Sequence, residues 1–234
     1  MKTALITGAS RGLGLCLTRK YLQEGYTVFA GVRDKKAAFI VELMEEFTTT
    51  LIPVVLEVAD TKSVNEAAGV VAEYTDHIDI LINNAAIHND TSFEILERAD
   101  IDDCLQVYNV NSLGALRVVK AFLPFLRKSQ EAKVINISSE SGSIGACHRE
   151  KEFDYCMSKA ALNMGTKLLS NYLRKENMLV LTIHPGWMRT DMGGKNAHLD
   201  PYETACHLVK LFEGKKLDSD SPIFIDYEGN AYPW

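Results

Sequence analysis

The chain has 234 residues, enough for one α/β domain with a sizeable core. A formal net charge of −6 argues against a nucleic-acid partner or an anionic membrane surface. No run approaches the ~18 apolar residues of a membrane span, and 47% hydrophobic with 24% charged residues is the composition of an ordinary globule.

The first strand pattern starts at Lys2 or Thr3, which leaves no room for a signal peptide. Five scattered cysteines (Cys16, Cys104, Cys147, Cys156, Cys206) include no C-x-x-C pair. They predict reduced, mostly buried thiols in a cytoplasmic protein. Six histidines without H-E-x-x-H or a Cys/His cluster predict no metal site.

Seven apolar, often β-branched runs alternate with helical patterns: 3–7, 26–32, 51–58, 78–83, 132–138, 179–184 and 222–227. That alternation predicts a Rossmann-type, doubly wound α/β fold. We expect a seven-stranded, mostly parallel sheet with helices on both faces, and a single dinucleotide-binding domain over 1–234.

The first run leads into Thr7-Gly8-Ala9-Ser10-Arg11-Gly12-Leu13-Gly14, and a helical pattern (Leu13, Leu17, Tyr21, Leu22) follows. A strand, a glycine turn and a helix N-terminus make an anion cradle, because unpaired N–H groups and the helix dipole meet there. The second run ends Val32-Arg33-Asp34. In a dinucleotide-binding fold a carboxylate at this strand end holds a ribose 2′-hydroxyl, whereas an arginine holds a 2′-phosphate. Arg33, with Arg11 in the glycine turn and no acid at Val32, favours NADP(H) over NAD(H). The alternative is a solvated Arg33 neutralised by Asp34.

Residues 35–47 predict a helix with Ala38, Val41, Leu43 and Met44 partly inward. Leu56-Glu57-Val58-Ala59-Asp60 follows the third run, and Asp60 or Thr61 can cap a helix over 62–75. The fourth run ends in Asn83-Asn84-Ala85-Ala86. Residues 99–127 form one long helical pattern that Asn109 and Asn111 interrupt, and buried asparagines in a helix need partners. The fifth run ends Ile137-Ser138-Ser139, with strand alternation pointing the two hydroxyls oppositely. Tyr155 and Lys159 stand at i and i+4, hence on one helical face. The sixth run leads into His184-Pro185-Gly186-Trp187-Met188-Arg189-Thr190.

In this order the segments TGASRGLG, NNAA, VNSLG, ISS, Y-x-x-x-K and HPG resemble the short-chain dehydrogenase/reductase family over nearly the whole chain. The ending Asp226–Trp234, with the HPGW turn, looks like the C-factor/sniffer-like carbonyl reductases. The resemblance implies that Gly8, Ser10, Arg11, Gly12, Leu13 and Gly14 hold the cofactor phosphates, with Arg33 beside them. Glu57 and Val58 lie near the adenine, and Asn84 and Ala85 near a ribose. Pro185, Gly186, Met188 and Thr190 face the nicotinamide. It further implies Tyr155 as acid/base and Lys159 as ribose ligand and tuner of Tyr155. Ser139 orients the carbonyl, with Ser138 the weaker candidate, and Asn111 anchors a water relay to Lys159. Glu57 and Ala86 depart from the family's aspartate and glycine, and Ser139 precedes Tyr155 by 16 positions, more than the common spacing.

The implied activity is hydride transfer between NADP(H) and an aldehyde, ketone or quinone, or the matching alcohol. Two rivals are a dinucleotide-binding redox or signalling sensor and an epimerase or dehydratase. Intact Asn111, Ser139, Tyr155 and Lys159 oppose the first; the short chain and glycine spacing oppose the second. Pocket candidates are His88, Ile144, His148, Phe153, Trp187, Met188 and Met192. The enlarged segment 146–154 and residues 188–200, with Gly193 and Gly194, are candidate mobile covers. Packing or solvent exposure suits Cys147 and His148 better than catalysis. The helices at 99–127 and 155–175 are where family members pair, as homodimers or homotetramers.

Overall fold

A computed structural model describes residues 1–218 and 221–234. Its strands are β1 Thr3–Thr7, β2 Thr27–Val32, β3 Leu51–Val55, β4 Ile80–Asn83, β5 Lys133–Ile137, β6 Leu179–His184 and β7 Phe224–Asp226. They form one sheet in the order β3-β2-β1-β4-β5-β6-β7. Every pairing is parallel, including the last, where Ile183 stands opposite Ile225. The sheet expected to be mostly parallel is therefore wholly so.

Strand alternation divides the apolar residues between two cores. Ala4, Ile6, Val28, Ala30 and Val32 pack on one face, with Leu17 and Tyr21 of α1 (Gly12–Gln23) and Leu208 and Phe212 of α7 (Pro201–Gly214). Leu5 and Phe29 face the other way, against Val64 and Val71 of α3 (Thr61–Ala72) and Val118 and Phe122 of α5 (Ala115–Leu126). Burial on both faces is what lets these strands read as near-continuous apolar runs. Each such side chain contributes roughly 1.5–3 kcal/mol by leaving water.

Two helical expectations are corrected. Helix α2 spans Ala38–Glu46 and buries Ile40 and Leu43, leaving Ala38, Val41 and Met44 exposed. Leu43 is inward as expected, and Ile40, one turn before it on the same face, takes the place of the other three. The pattern at 99–127 is two helices, α4 (Asp103–Tyr108) and α5, joined by a π turn at Asn109–Gly114. Nor are the thiols mostly buried: four are half-buried and Cys147 is exposed, although all five are unpaired. The strand order reverses between β1 and β4, and the C-terminal strand ends at such a reversal are where open α/β sheets take their ligands.

Candidate active site

The glycine turn joins the C-terminal end of β1 to α1, at that reversal point. Asp60 caps α3 and Asp200 caps α7 through side-chain oxygens, whereas no side chain among the described residues caps α1. The first-turn N–H groups of α1 are thus left for a ligand. A Cβ on Gly14 would lie 2.3 Å from the Gly8 carbonyl oxygen and 2.4 Å from Asn84 Nδ2. Gly8 itself has a φ of +65°. Asn84 Nδ2 donates to the carbonyls of Thr7 and Gly8 at 3.0 and 3.2 Å. Thr7 Oγ1 accepts from the N–H groups of Asn84 and Ala85 at 3.0 and 3.1 Å. The β4 end and the glycine turn are thereby one hydrogen-bonded unit, a backbone cradle that fits a dinucleotide pyrophosphate. Leu13 is buried in the core below, and Ser10 is half-buried on the turn.

Arg33 is exposed at the end of β2, and among the described residues none is ion-paired to it. Asp34 turns instead to the Lys36 N–H at 2.8 Å. Arg11 is engaged: its guanidinium meets Asp191 at 3.2 Å in an exposed pair. Glu57 bends back onto the Ala59 N–H at 3.1 Å, so its carboxylate is spent on its own turn. Val58 is buried against Gly114 of the π turn.

Past β6, Pro185 and Gly186 turn the chain toward Met188, which is buried, and Thr190. Thr190 lies 3.5 Å from where a Cβ on Gly12 would sit, so this segment rests on the glycine turn. Segment 188–200 is pinned to itself: Thr190 Oγ1 accepts from the Gly193 N–H at 3.1 Å, and Leu199 carbonyl accepts from Arg189 N–H at 2.9 Å.

The catalytic candidates converge where β5 ends beside α6 (Phe153–Leu173). A 3-10 turn, Glu140–Gly142, follows Ser139. A Cβ on Gly142 would come within 2.7 Å of the Lys159 backbone, and that close approach seats the turn on α6. The Ser139 hydroxyl acts on the Tyr155 phenol and favours its ionised form, and its Oγ is bonded to Ser141 Oγ at 3.1 Å. Ser138 points away, its Oγ buried and unpartnered. Lys159 Nζ donates to the Ile137 carbonyl at 2.8 Å and lies 5.5 Å from the Tyr155 ring centroid.

Burial lowers the Lys159 pKa to about 7. Burial also pushes the Tyr155 phenol well above its ordinary value, with the Ser139 hydrogen bond pulling the other way and Glu140 and Glu152 adding to the rise. Desolvation acts on both groups, and a lysine pushed toward neutrality has less charge to offer.

Asn111 is 2% exposed. Its Nδ2 donates to the Ile87 carbonyl at 2.8 Å and to Ser158 Oγ at 3.0 Å, and its Oδ1 accepts from the Ile87 N–H at 2.8 Å. It clamps the loop after β4 to α6 through the π turn and makes no hydrogen bond to Lys159; one acceptor lone pair is left over. Asn109 is occupied differently, accepting from Arg117 Nη2 at 2.6 Å.

Of the pocket candidates, Ile144 is 80% exposed, Trp187 50% and Met192 42%, so all three present apolar surface to solvent. His88 is half-buried on the Asn89 carbonyl, and His148 is exposed. Phe153 lines a small gap under Asp154 and Cys104. A separate cavity of about 180 Å³, lined by Lys167, Arg174 and Trp234, contains none of the site residues. Among the described residues no side-chain group is placed to hold a metal ion, and no helix is long and apolar enough to cross a membrane.

Sequence reasoning missed Thr7, Ser158 and Arg149. Thr7 and Ser158 had no signal beyond standing next to motif residues. Arg149 bridges Glu140 and Glu152 across the enlarged loop, and only its position in that loop could have marked it.

Known proteins are similar to this chain in sequence and fold. The short chain dehydrogenase family pattern matches residues 2–200. The C-signal protein of Myxococcus xanthus is 36% identical over 160 residues, which is 68% of this chain and 95% of that protein. The NADPH-bound carbonyl reductase from chicken fatty liver superposes with a TM-score of 0.91 at 31% identity, covering 100% of this chain and 99% of that one. The carbonyl reductase Sniffer of D. melanogaster gives 0.93 at 27% identity, with full coverage of both chains. With its wholly parallel sheet, uncapped glycine turn and Ser139–Tyr155–Lys159 cluster, the chain belongs to the short-chain dehydrogenase/reductase family of oxidoreductase enzymes, alongside C-signal and Sniffer-like members.

Proposed function

We propose that the chain is an NADP(H)-dependent carbonyl reductase that interconverts an aldehyde, ketone or quinone with its alcohol. The observation that carries this reading is the meeting of Ser139, Tyr155 and Lys159 beside a glycine turn whose helix is uncapped. The chicken-liver carbonyl reductase carries NADPH, and the unpaired Arg33 suits a 2′-phosphate here.

The dihydronicotinamide, when bound, supplies the hydride. The phenol of Tyr155, held protonated by its burial, donates the proton that the developing alkoxide needs. Ser139 offers its hydroxyl to the carbonyl oxygen and keeps the phenol aligned. Lys159, fixed by the Ile137 carbonyl, holds the nicotinamide ribose beside Tyr155. Asn111 fixes Ile87 and the β4 loop against α6. Gly8, Ser10, Gly12, Leu13 and Gly14 take the pyrophosphate, Asn84 and Ala85 a ribose, and Pro185, Gly186, Met188 and Thr190 the carboxamide. The exposed apolar side chains of Ile144, Trp187 and Met192 favour an uncharged substrate body.

A second copy of the chain covers α6 in this reading. Met157, Met164, Leu168 and Tyr172 are exposed on one side of that helix, and Leu105 of α4 is 70% exposed. The test of function is NADPH oxidation against a panel of aldehydes, ketones, diketones and quinones. Turnover on an apolar carbonyl is the expected result. Tight NADPH binding with no turnover on any of them would point to a sensor.

A further inference from the structure

Arg149 stands in the enlarged loop between Ser139 and Tyr155. Its Nη2 meets Glu140 Oε1 at 2.5 Å, and its Nη1 is bonded to Glu152 Oε2. Glu140 directly follows Ser139, and Glu152 is the residue before α6, three positions from Tyr155. We propose that Arg149 is a positioning residue for the reaction: it ties the Ser139 segment to the Tyr155 helix and compensates two carboxylates beside the phenol. The proposal rests on the carbonyl reductase reading above.

Three features support it. First, a polar chain runs from Arg149 through Glu140 to Ser139, the hydroxyl that acts on the phenol. Glu140 Oε2 accepts from Ser141 Oγ at 3.0 Å, and Ser139 Oγ donates to Ser141 Oγ at 3.1 Å. Second, the segment joined at the other end is held in an unfavourable backbone state. Glu152 has a φ of +63°, the left-handed region, and surrounding bonds must keep it there. Its N–H donates to the Ser92 carbonyl at 2.8 Å, its carbonyl accepts from the Cys156 N–H at 2.8 Å, and Arg149 holds its carboxylate. Third, the site is only partly open to water: Arg149 has 30% of its side chain exposed and Glu152 15%, so the charges are incompletely screened.

The charged and titratable groups facing the phenol are Glu140 from the β5 turn, Glu152 and Cys156 from the start of α6, and Lys159 one turn on. His184 of β6 stands behind Glu140, its Nδ1 accepting from the Glu140 N–H at 3.1 Å. With Arg149 paired to both carboxylates, part of their effect on the phenol is offset. Without it, both act on Tyr155 and disfavour the phenolate. A guanidinium is suited to this task because its planar fork meets two acceptors at once, which an ammonium does less well.

The experiment measures NADP⁺-dependent alcohol oxidation against pH, where the phenolate is the active form. In Arg149→Met the rising limb of the profile should move to higher pH by about half a unit or more, with NADPH affinity at the parental level. Arg149→Lys should lie between the two. Glu140→Gln in the Met background should bring the limb back. Glu140→Gln alone, which keeps an oxygen for Ser141, should move the limb below the parent's and raise the rate at fixed pH. That rise is the readout that a merely structural role cannot give. A profile in Arg149→Met superimposable on the parent's, or a limb unmoved by Glu140→Gln, would overturn the proposal. Should Arg149→Met not fold, Glu140→Gln and Glu152→Gln decide alone. If the parent turns over no carbonyl or alcohol, the carbonyl reductase reading is what fails. The Tyr155 titration is then followed by ultraviolet difference absorbance against Tyr155→Phe, with the same shifts expected.

Discussion

Lys159 Nζ lies 5.5 Å from the centroid of the Tyr155 ring, yet it spends a hydrogen bond on the Ile137 carbonyl at 2.8 Å. The two side chains share one helical face, as i, i+4 neighbours do. What the face is buried against decides their charge. At 2% exposure, Lys159 has its pKa lowered by desolvation to about 7.

That burial has a consequence for stability. The folded pKa, about 7, lies below the ordinary lysine value of 10.5, so between those limits the unfolded chain binds more protons than the folded one. Stability of the cofactor-free protein should therefore rise with pH across this window. Below about 7 the ammonium is buried charged, and its full desolvation cost is present. Lys159→Met should remove this component of the pH dependence. Denaturant unfolding at a series of pH values checks it, and an unchanged slope in Lys159→Met would contradict the assignment.

Tyr155→Phe removes a hydroxyl and keeps the ring, so packing and the nucleotide cradle should survive. Turnover should fall by about 10²–10⁴-fold, with NADPH affinity at the parental level. Lys159→Ala should depress turnover and NADPH affinity together. Binding is read by NADPH fluorescence and turnover on the best carbonyl of the panel. A Tyr155→Phe variant with near-parental turnover would remove the phenol from the mechanism.

Much of this was legible in the sequence for identifiable reasons. Strand runs, the glycine turn and the Tyr155/Lys159 spacing are local patterns, and local geometry dictates them. The break at Asn109–Gly114 was visible only as two misplaced asparagines. The π turn that gives each its partner depends on Arg117, Ile87 and Ser158, contacts made across the fold. On α2 the pattern marks Leu43 as inward, but which neighbours share that face is set by packing on the core, and that selects Ile40 over Val41 and Met44. The charge states at the site were not legible at all, since spacing reports proximity and only burial reports desolvation.

The exposed stripe on α6 leads to a prediction on assembly. Leu168→Glu places a charge at the centre of the row formed by Met164, Leu168 and Tyr172. If a second copy covers the row, sedimentation velocity should show the parent as a dimer or tetramer and Leu168→Glu as a monomer. A monomeric parent would leave the stripe without this occupant.

The last prediction concerns cofactor choice, where the two arginines are in different states. Arg33 is exposed with no ion-paired partner among the described residues, so it is available to a 2′-phosphate at no prior loss. Arg33→Ala should weaken NADPH by about tenfold or more, the size of a charge-assisted hydrogen bond, and leave NADH nearly unchanged. Arg11 is instead engaged by Asp191 at 3.2 Å, with both side chains well exposed. An exposed pair of this kind contributes at most about 1 kcal/mol, so Asp191 competes weakly with a phosphate. Asp191→Asn should accordingly tighten NADPH by about two- to fivefold, tighten NADH less, and lose the difference at high salt. The two variants thus move NADPH selectivity in opposite directions. Titration of both cofactors by fluorescence at low and high salt reads each effect. Equal losses of NADPH and NADH in Arg33→Ala would sink the 2′-phosphate assignment.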